Sequence, residues 1–382
     1  MLITADIAQP IVDEIMKVID YNVNIMNEKG IIVASGDSER TNQVHQGALE
    51  AIELKRERII HTVNDAKMVG TSAGVNVPIV IKERIVGVVG ITGDPKKIYK
   101  FIHIIKITVE TLLEQQLLIE QLRFKQTALE DWIHKLRDKE NNDLARLENE
   151  ASYLSIDLAK KCKMIAVQIS NFNASVFDYE ILHQNETQIF NTIKQYFPFN
   201  SFVAGLGKGM FVVCIVANRE FELGYYKTCK EFSEKLKTEG FFNYIGIGGI
   251  YEGIFGYRTS LLEAIQSIDI LKQSNSKRTI AHISDWGTMN LVAQIPKNYR
   301  QTFITSFLNQ KPPLTKEIEE TLQVFLSNNL NLKKTALEMH IHRNTLIYRL
   351  DKIKESWGLD PRKFSDALNL QMMIWCKMLT EK

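Results

Sequence analysis

Hydrophobic and polar positions along the chain change period several times, and each change marks an element. Residues 4–19 carry Ile7, Ile11, Ile15, Val18 and Ile19 at helical spacing behind Thr4, a suitable N-cap. They predict an amphipathic helix, with Pro10 tolerable only near its first turn. Tyr21 to Met26 and Gly30 to Ser35 read as two short strands joined across Asn27-Glu28-Lys29-Gly30. Val75 to Ile81 and Ile85 to Gly93 form a second hairpin over Lys82-Glu83-Arg84. From about Ile98 to Leu158 the period becomes helical. Ile105, Val109, Leu112, Gln116 and Ile119 alternate in steps of four and three, and Leu144, Leu147, Ala151, Leu154 and Leu158 follow the same pattern. Trp132, Ile133 and Leu136 keep an apolar face between them, whereas Lys139 to Asp143 is wholly polar, so two helices with a break fit better than one rod. Packing on the chain's own domains and a dimeric coiled coil both remain open for this stripe.

Residues 160–283 alternate between periods of two and 3.6. Lys163 to Ser170, Ser201 to Gly205, Met210 to Val216 and Tyr244 to Ile250 read as strands. Glu186 to Tyr196, Leu223 to Glu239 and Arg258 to Leu271 read as helices, which together predict an α/β domain with a central sheet. Pro296, Pro312 and Pro313 mark boundaries in 284–320, and Thr315 suits the cap of a helix carrying Ile318, Leu322 and Phe325.

The end of the chain reads as two short helices joined by a tight turn. Leu332, Ala336 and Leu337 give the first an apolar face, Met339-His340-Ile341 is the turn, and Leu346, Leu350 and Ile353 give the second its buried stripe. That stripe leaves His342, Arg343, Asn344, Thr345, Tyr348, Arg349 and Lys352 free. Arg and Asn make bidentate contacts to guanine and adenine edges, Thr meets a thymine methyl, and Lys333 and Lys334 suit phosphate oxygens. A helix-turn-helix with its second helix in the major groove follows. An ordinary amphipathic hairpin with a solvated basic face is the plainer reading. Charge argues against it: residues 328–382 hold ten Lys/Arg against six Asp/Glu, while the whole chain of 382 residues is only +2.

Composition limits the remaining classes. The chain is long enough for two or three domains, and 45% hydrophobic with 24% charged residues suits a soluble globular protein. The most apolar stretch, Val75 to Ile91, is interrupted by Lys82, Glu83 and Arg84, so neither export nor membrane insertion is expected. Cys162, Cys214, Cys229 and Cys376 lie far apart without a CxxC pair, as expected of reduced thiols in the cytoplasm. His340 and His342 are the one close histidine pair and have no Cys or acidic partner nearby, so no metal and no cofactor is expected. Gly87 to Gly93 lacks the Gly-Lys-Ser/Thr ending of a phosphate loop and lies within a β-branched run.

His342-Arg343-Asn344-Thr345-Leu346-x-Tyr348-Arg349-Leu350, followed by Lys352-Ile353 and Trp357-Gly358-Leu359-Asp360, closely resembles the C-terminal DNA-binding module of the carbohydrate diacid and purine catabolism regulators. More loosely, it resembles the Fis-type helix-turn-helix. The N-terminal third resembles the sugar-diacid recognition domain through Ile7 to Asp13, Asn24 to Asn27, Ile32 to Asp37, Arg40, His45-x-Gly47-Ala48 and Gly74 to Ile79. The two resemblances occur in family order. They imply a multidomain α/β plus all-α chain. Residues 1–97 would be a sugar-diacid sensor similar to PAS or GAF domains, 98–158 a helical linker with dimerisation helices, and 159–283 an α/β domain. Residues 284–382 would be helical, with the helix-turn-helix at about 332–354.

Leu206 to Val213 and Ile245-Gly246-Ile247-Gly248 resemble a degenerate GGDEF-type cyclase fold. Lys208 and Met210 stand where cyclases need metal-binding carboxylates, so no enzyme activity is expected.

The implied function is a cytoplasmic, dimeric transcription regulator, expected to be an activator, that binds promoter DNA and a small carboxylate of the glycerate, glucarate or galactarate class. Arg40 and His45 would supply donors to a carboxylate, Ser35, Asp37 and Asn76 would meet hydroxyls, and Gly74 would allow close backbone approach. Each has a plainer alternative, with Asp37 shaping a turn, Asn76 satisfying backbone or Arg40 lying in solvent. After Arg40 the family commonly carries Ile-Gly where this chain has Thr41-Asn42, which adds polar groups beside the site. The competing readings are a cyclase-like enzyme with a protein-docking C-terminal domain, a ligand-independent architectural DNA binder, and a regulator that responds to another effector such as a purine-catabolism intermediate.

Overall fold

The computed structural model describes residues 3–61, 72–172, 179–198, 201–216, 219–274, 278–309 and 311–380. The chain forms two compact units, Met1–Gln126 and Thr127–Lys382.

The first unit begins with α1 (Ala5–Met16), which buries Ala8, Ile11, Val12 and Ile15. The helix continues through Pro10 rather than starting near it. Asp6, whose carbonyl loses the Pro10 N–H, lies with Pro10 on the exposed side, where water can replace the bond. The hairpin β1 (Val23–Asn27) and β2 (Ile32–Ser35) turns on Asn27, whose Oδ1 accepts from the Lys29 and Ile31 amides. A 3-10 turn at Ser38–Arg40 and α2 (Gln46–Leu54) follow, then β3 (Arg58–Ile60). The second hairpin is β4 (Gly74–Ile81) and β5 (Arg84–Thr92), and α3 (Pro95–Arg137) leaves it. The five strands form one antiparallel sheet in the order β2-β1-β5-β4-β3.

Period-two alternation divides the sheet into two faces. Val23, Ile25, Val75, Val77, Val89 and Ile91 face a core completed by α1 and by Ile98, Ile102, Ile105, Val109 and Leu113 of α3. The stripe that could have joined two chains therefore packs, at Ile105 and Val109, on its own sheet. Met26, Ile32 and Val88 face the other side, where Ala48 and Ala51 of α2 cover them.

In the second unit α3 ends at Arg137, and α4 (Leu144–Tyr153) follows the predicted polar break. Trp132 Nε1 donates to the Leu147 carbonyl at 2.9 Å, which fixes the two helices to each other. They cover a sheet built from β6 (Cys162–Ile169), α5 (Tyr179–Tyr196), β7 (Ser201–Gly205), β8 (Met210–Val216), α6 (Arg219–Thr238), β9 (Asn243–Tyr251), α7 (Gly253–Gln273) and β10 (Ile280–His282). The order β10-β9-β6-β8-β7 makes the first four strands a split βαβ arrangement, with β10 added parallel to β9. Gly246 and Gly248 let α7 lie close to the sheet, because a Cβ there would stand 2.0 and 2.1 Å from the Ala264 and Ser260 carbonyl oxygens.

The remaining helices are α8 (Thr288–Gln294), α9 (Lys297–Leu308), α10 (Lys316–Ser327), α11 (Leu332–Glu338), α12 (Arg343–Trp357) and α13 (Phe364–Met378). Leu322, Phe325, Ala336, Leu346, Leu350, Ile353, Trp357 and Leu370 form one core among α10 to α13. The mixed α/β chain with two sheets and a C-terminal helix-turn-helix is as the sequence implied.

Candidate effector site and nucleic-acid interface

Paired residues on neighbouring strands point to the same face, and on the face under α2 they bring polar groups into rows. Ser35 pairs with Asn24, Asn24 with Gly90, Gly90 with Asn76, and Asn76 with Arg58. Ser35 Oγ donates to Asn24 Oδ1 at 2.7 Å, and Asn22 Nδ2 donates to the same oxygen at 3.2 Å. Gly90 leaves the middle of the row open, and a Cβ there would stand 2.5 Å from Asn76 Oδ1. One step along the strands, Thr92 pairs with Gly74, and the Thr92 amide donates to the Asn22 carbonyl at 2.9 Å. Ser35, Asn24 and Asn76 are buried, and the Oδ1 of Asn22 is buried without a partner among the described residues. That oxygen lies beside Gly36, where a Cβ would stand 2.7 Å from it and 2.8 Å from the Met16 side chain of α1.

The loop after β2 carries the cation. Arg40 Nη1 donates to Thr92 Oγ1 at 3.1 Å, and burial lowers the pKa of its guanidinium while Asp37 raises it. Asn42 takes φ 67°, a left-handed conformation that Asn tolerates. His45 is buried and N-caps α2, its Nδ1 accepting from the Ala48 amide at 3.2 Å. Burial, and then the neighbouring Arg40 charge, lower its pKa to about 4, so the ring is neutral with its proton on Nε2. Gly47, the second residue of α2, lies against Asn76, where a Cβ would stand 3.0 Å from Nδ2.

Arg40, His45, Ser35 and Asn76 thus share one face of the sheet. The other two candidates differ. Asp37 is exposed and accepts from the Glu39 amide at 3.2 Å, capping the 3-10 turn. The close approach at Gly74 is to the chain itself, because a Cβ there would lie 2.2 Å from the Ile91 carbonyl oxygen. Asn22, Asn24, Gly90 and Thr92 were not among the predicted residues. Asparagine at alternating positions beside β-branched residues is the signal that could have found two of them.

In the helix-turn-helix, Asn331 caps α11 through the Lys334 amide, and the Ile341 amide returns to the Ala336 carbonyl at 3.0 Å. His340 takes φ 55° in the turn, and His342 caps α12 by accepting from the Asn344 amide at 3.2 Å. Leu346, Leu350 and Ile353 are buried; Arg343, Asn344, Thr345, Tyr348 and Lys352 are exposed, as are Lys333 and Lys334. Two expectations need correction. Leu337 is not core but 77% exposed, because Thr335 and Ala336 face inward instead. Arg349 is held by α10, with Nη2 2.8 Å from Glu317 and Nη1 donating to Thr321 Oγ1 at 3.3 Å, so it does not share the free face.

Residues 3–136 match the sugar diacid recognition family and residues 319–375 match the PucR C-terminal helix-turn-helix domain. The carbohydrate diacid regulator of Escherichia coli is 27% identical over 96% of each chain. The chain is a sugar diacid-type transcriptional regulator with a helix-turn-helix, similar to the carbohydrate diacid regulator. An uncharacterized Haemophilus influenzae protein is 28% identical to the regulator over 96% of each chain, and the Bacillus subtilis proline-responsive transcriptional activator PutR is 23% identical over 63% of each. Among the described residues of the regulator, no helix is long and apolar enough to cross a membrane.

Proposed function

We propose that the chain is a cytoplasmic activator of genes for the catabolism of small hydroxy acids or sugar diacids, of the glycerate, glucarate or galactarate class. The first unit acts as a PAS- or GAF-type sensor. Arg40 meets the carboxylate, neutral His45 donates from Nε2, and Asn24, Ser35 and Asn76 meet hydroxyls. The α/β domain of the second unit serves as a degenerate GGDEF-like scaffold without turnover. Arg343, Asn344, Thr345 and Tyr348 face base edges, and Lys333, Lys334 and Lys352 contact phosphates. Two chains act together because one helix-turn-helix covers only a half-site. For the effector to switch the protein, it must bind the two conformations with different affinity.

The observation that carries the sensor reading is the juxtaposition of Arg40 with the amide and hydroxyl side chains of Thr92, Ser35, Asn24 and Asn76 on one face of the sheet. Thermal-shift titration with glycerate, glycolate, glucarate, galactarate, allantoin and neutral sugars tests it. The expected result is a dose-dependent rise with a hydroxy acid that is lost in Arg40→Ala. A rise with allantoin or a neutral sugar alone, or one that survives Arg40→Ala, would overturn the carboxylate assignment.

A further inference from the structure

One face of α3 is spent on its own unit, through Ile98, Ile102, Ile105, Val109 and Leu113. The same helix carries a second stripe: Phe101, Ile104, Thr108, Thr111, Gln115, Leu118 and Leu122 follow one another in alternating steps of three and four. That is the spacing of the a and d positions of a coiled coil, sustained over 22 residues or about 33 Å. All seven are exposed, and Ile107 and Ile119 flank them.

We propose that this stripe is the seam along which a second copy of the chain docks, α3 against α3. Two observations select a second copy. The first is charge. In a two-fold pairing the stripe meets itself, so any charge on it would meet its own kind. None of the seven positions is charged. Lys106, Glu110, Glu114 and Glu120 of the same span all fall off the stripe, where Lys106 pairs with Glu110 at 3.6 Å. Thr108 already donates to the Ile104 carbonyl at 3.0 Å, so its hydroxyl needs no partner across the seam. Gln115 and Thr111 supply the polar groups that fix register.

The second observation is area. Phe101, Ile104, Ile107, Leu118, Ile119 and Leu122 are 46, 64, 63, 57, 43 and 58% exposed. At roughly 100 Å² of exposed surface each, the six hold about 600 Å² per copy, or about 1,200 Å² per pair, the lower bound for a specific interface. The inference gives the proposed pairing its surface, and its test needs neither effector nor DNA.

Light scattering of the full chain should give twice the chain mass. Ile104→Lys with Leu118→Lys should give one chain mass at unchanged helical circular dichroism. The four native cysteines are buried, so a thiol introduced at position 104 or 118 is a clean probe. Oxidised Ile104→Cys should cross-link to itself if the helices run parallel, or to Leu118→Cys if they run antiparallel. A wild-type chain that is monomeric at micromolar concentration, a Lys variant that stays dimeric, or the absence of both cross-links overturns the proposal. A monomer whose Ile104→Cys thiol resists alkylation would show that another part of the same chain covers the stripe, which also overturns it.

Discussion

The Nδ1 of His45 accepts the Ala48 amide at 3.2 Å, so the cap of α2 depends on a ring without a proton on that nitrogen. Its pKa in the folded chain is lowered from 6.5 to about 4, chiefly by burial. Above pH 6.5 the ring is neutral in both folded and unfolded chains, and the stability it contributes is fully present. Below that value the unfolded chain takes up the proton first, and stability falls until the pH passes about 4. The full effect is about 3 kcal/mol, of which about 2 is lost by pH 5. Thermal unfolding of the first unit should therefore weaken between pH 7 and 5 in the wild type and much less in His45→Asn, which keeps a capping oxygen. Equal slopes in the two proteins would show that His45 is not the source.

Arg258 of α7 is buried, and its Nε and Nη2 donate to the Leu136 and Asn141 carbonyls at 3.1 and 2.7 Å. These bonds finish α3 and hold the break before α4. Arg258→Ala leaves two acceptors without partners, which costs about 1–3 kcal/mol each. Denaturant unfolding of the second unit should show a loss of that order, and Arg258→Lys should recover only part of it because an ammonium cannot span both carbonyls. A midpoint within error of wild type would mean that water replaces both bonds.

Gly74 and Gly90 separate a folding requirement from a binding one. A Cβ at Gly74 meets backbone at 2.2 Å, whereas at Gly90 it meets the movable end of Asn76 at 2.5 Å. Gly74→Ala should destabilise the first unit by about 1–3 kcal/mol, since β4 and β5 must part. Gly90→Ala should keep the fold, displace the Asn76 amide and abolish the effector-dependent rise in melting temperature. An unchanged effector response in Gly90→Ala would remove the row from the proposed site.

The elements most legible in the sequence were those whose period matched their burial. The two hairpins of the first unit showed short apolar, β-branched runs bounded by turn residues, and Leu346, Leu350 and Ile353 showed a helical stripe that the core uses. The polar break at 139–143 also marked the end of α3 correctly. By contrast, α2 and β3 were not legible. The helix buries small Gly47, Ala48 and Ala51, which give weak periodicity, and the strand has only three residues. The site was half legible for a related reason. Arg40 and His45 stand out by type, but Asn22, Asn24 and Thr92 matter through register, and register follows from which strands pair. Arg349 misled because composition shows a free cation where the fold supplies Glu317 from a different helix.

That pairing separates two arginines six residues apart. Arg343 is exposed at the start of α12, while Arg349 is committed to Glu317 and Thr321 of α10. Arg343→Ala should weaken binding to a specific operator by about 1–3 kcal/mol and relax preference at one base position, as the loss of a base-edge contact does. Arg349→Ala should leave base preference unchanged. Its cost should appear in unfolding, at roughly 1 kcal/mol or less, because Glu317 is largely exposed. Replacing Lys333 or Lys334 with Ala should weaken specific and non-specific DNA alike and reduce the salt dependence of binding by about one ion each. Fluorescence anisotropy with operator and scrambled duplexes at several salt concentrations measures all three. If Arg349→Ala relaxed base preference while Arg343→Ala did not, the ion pair to Glu317 would have to open on DNA, and α12 would enter the groove by a different face.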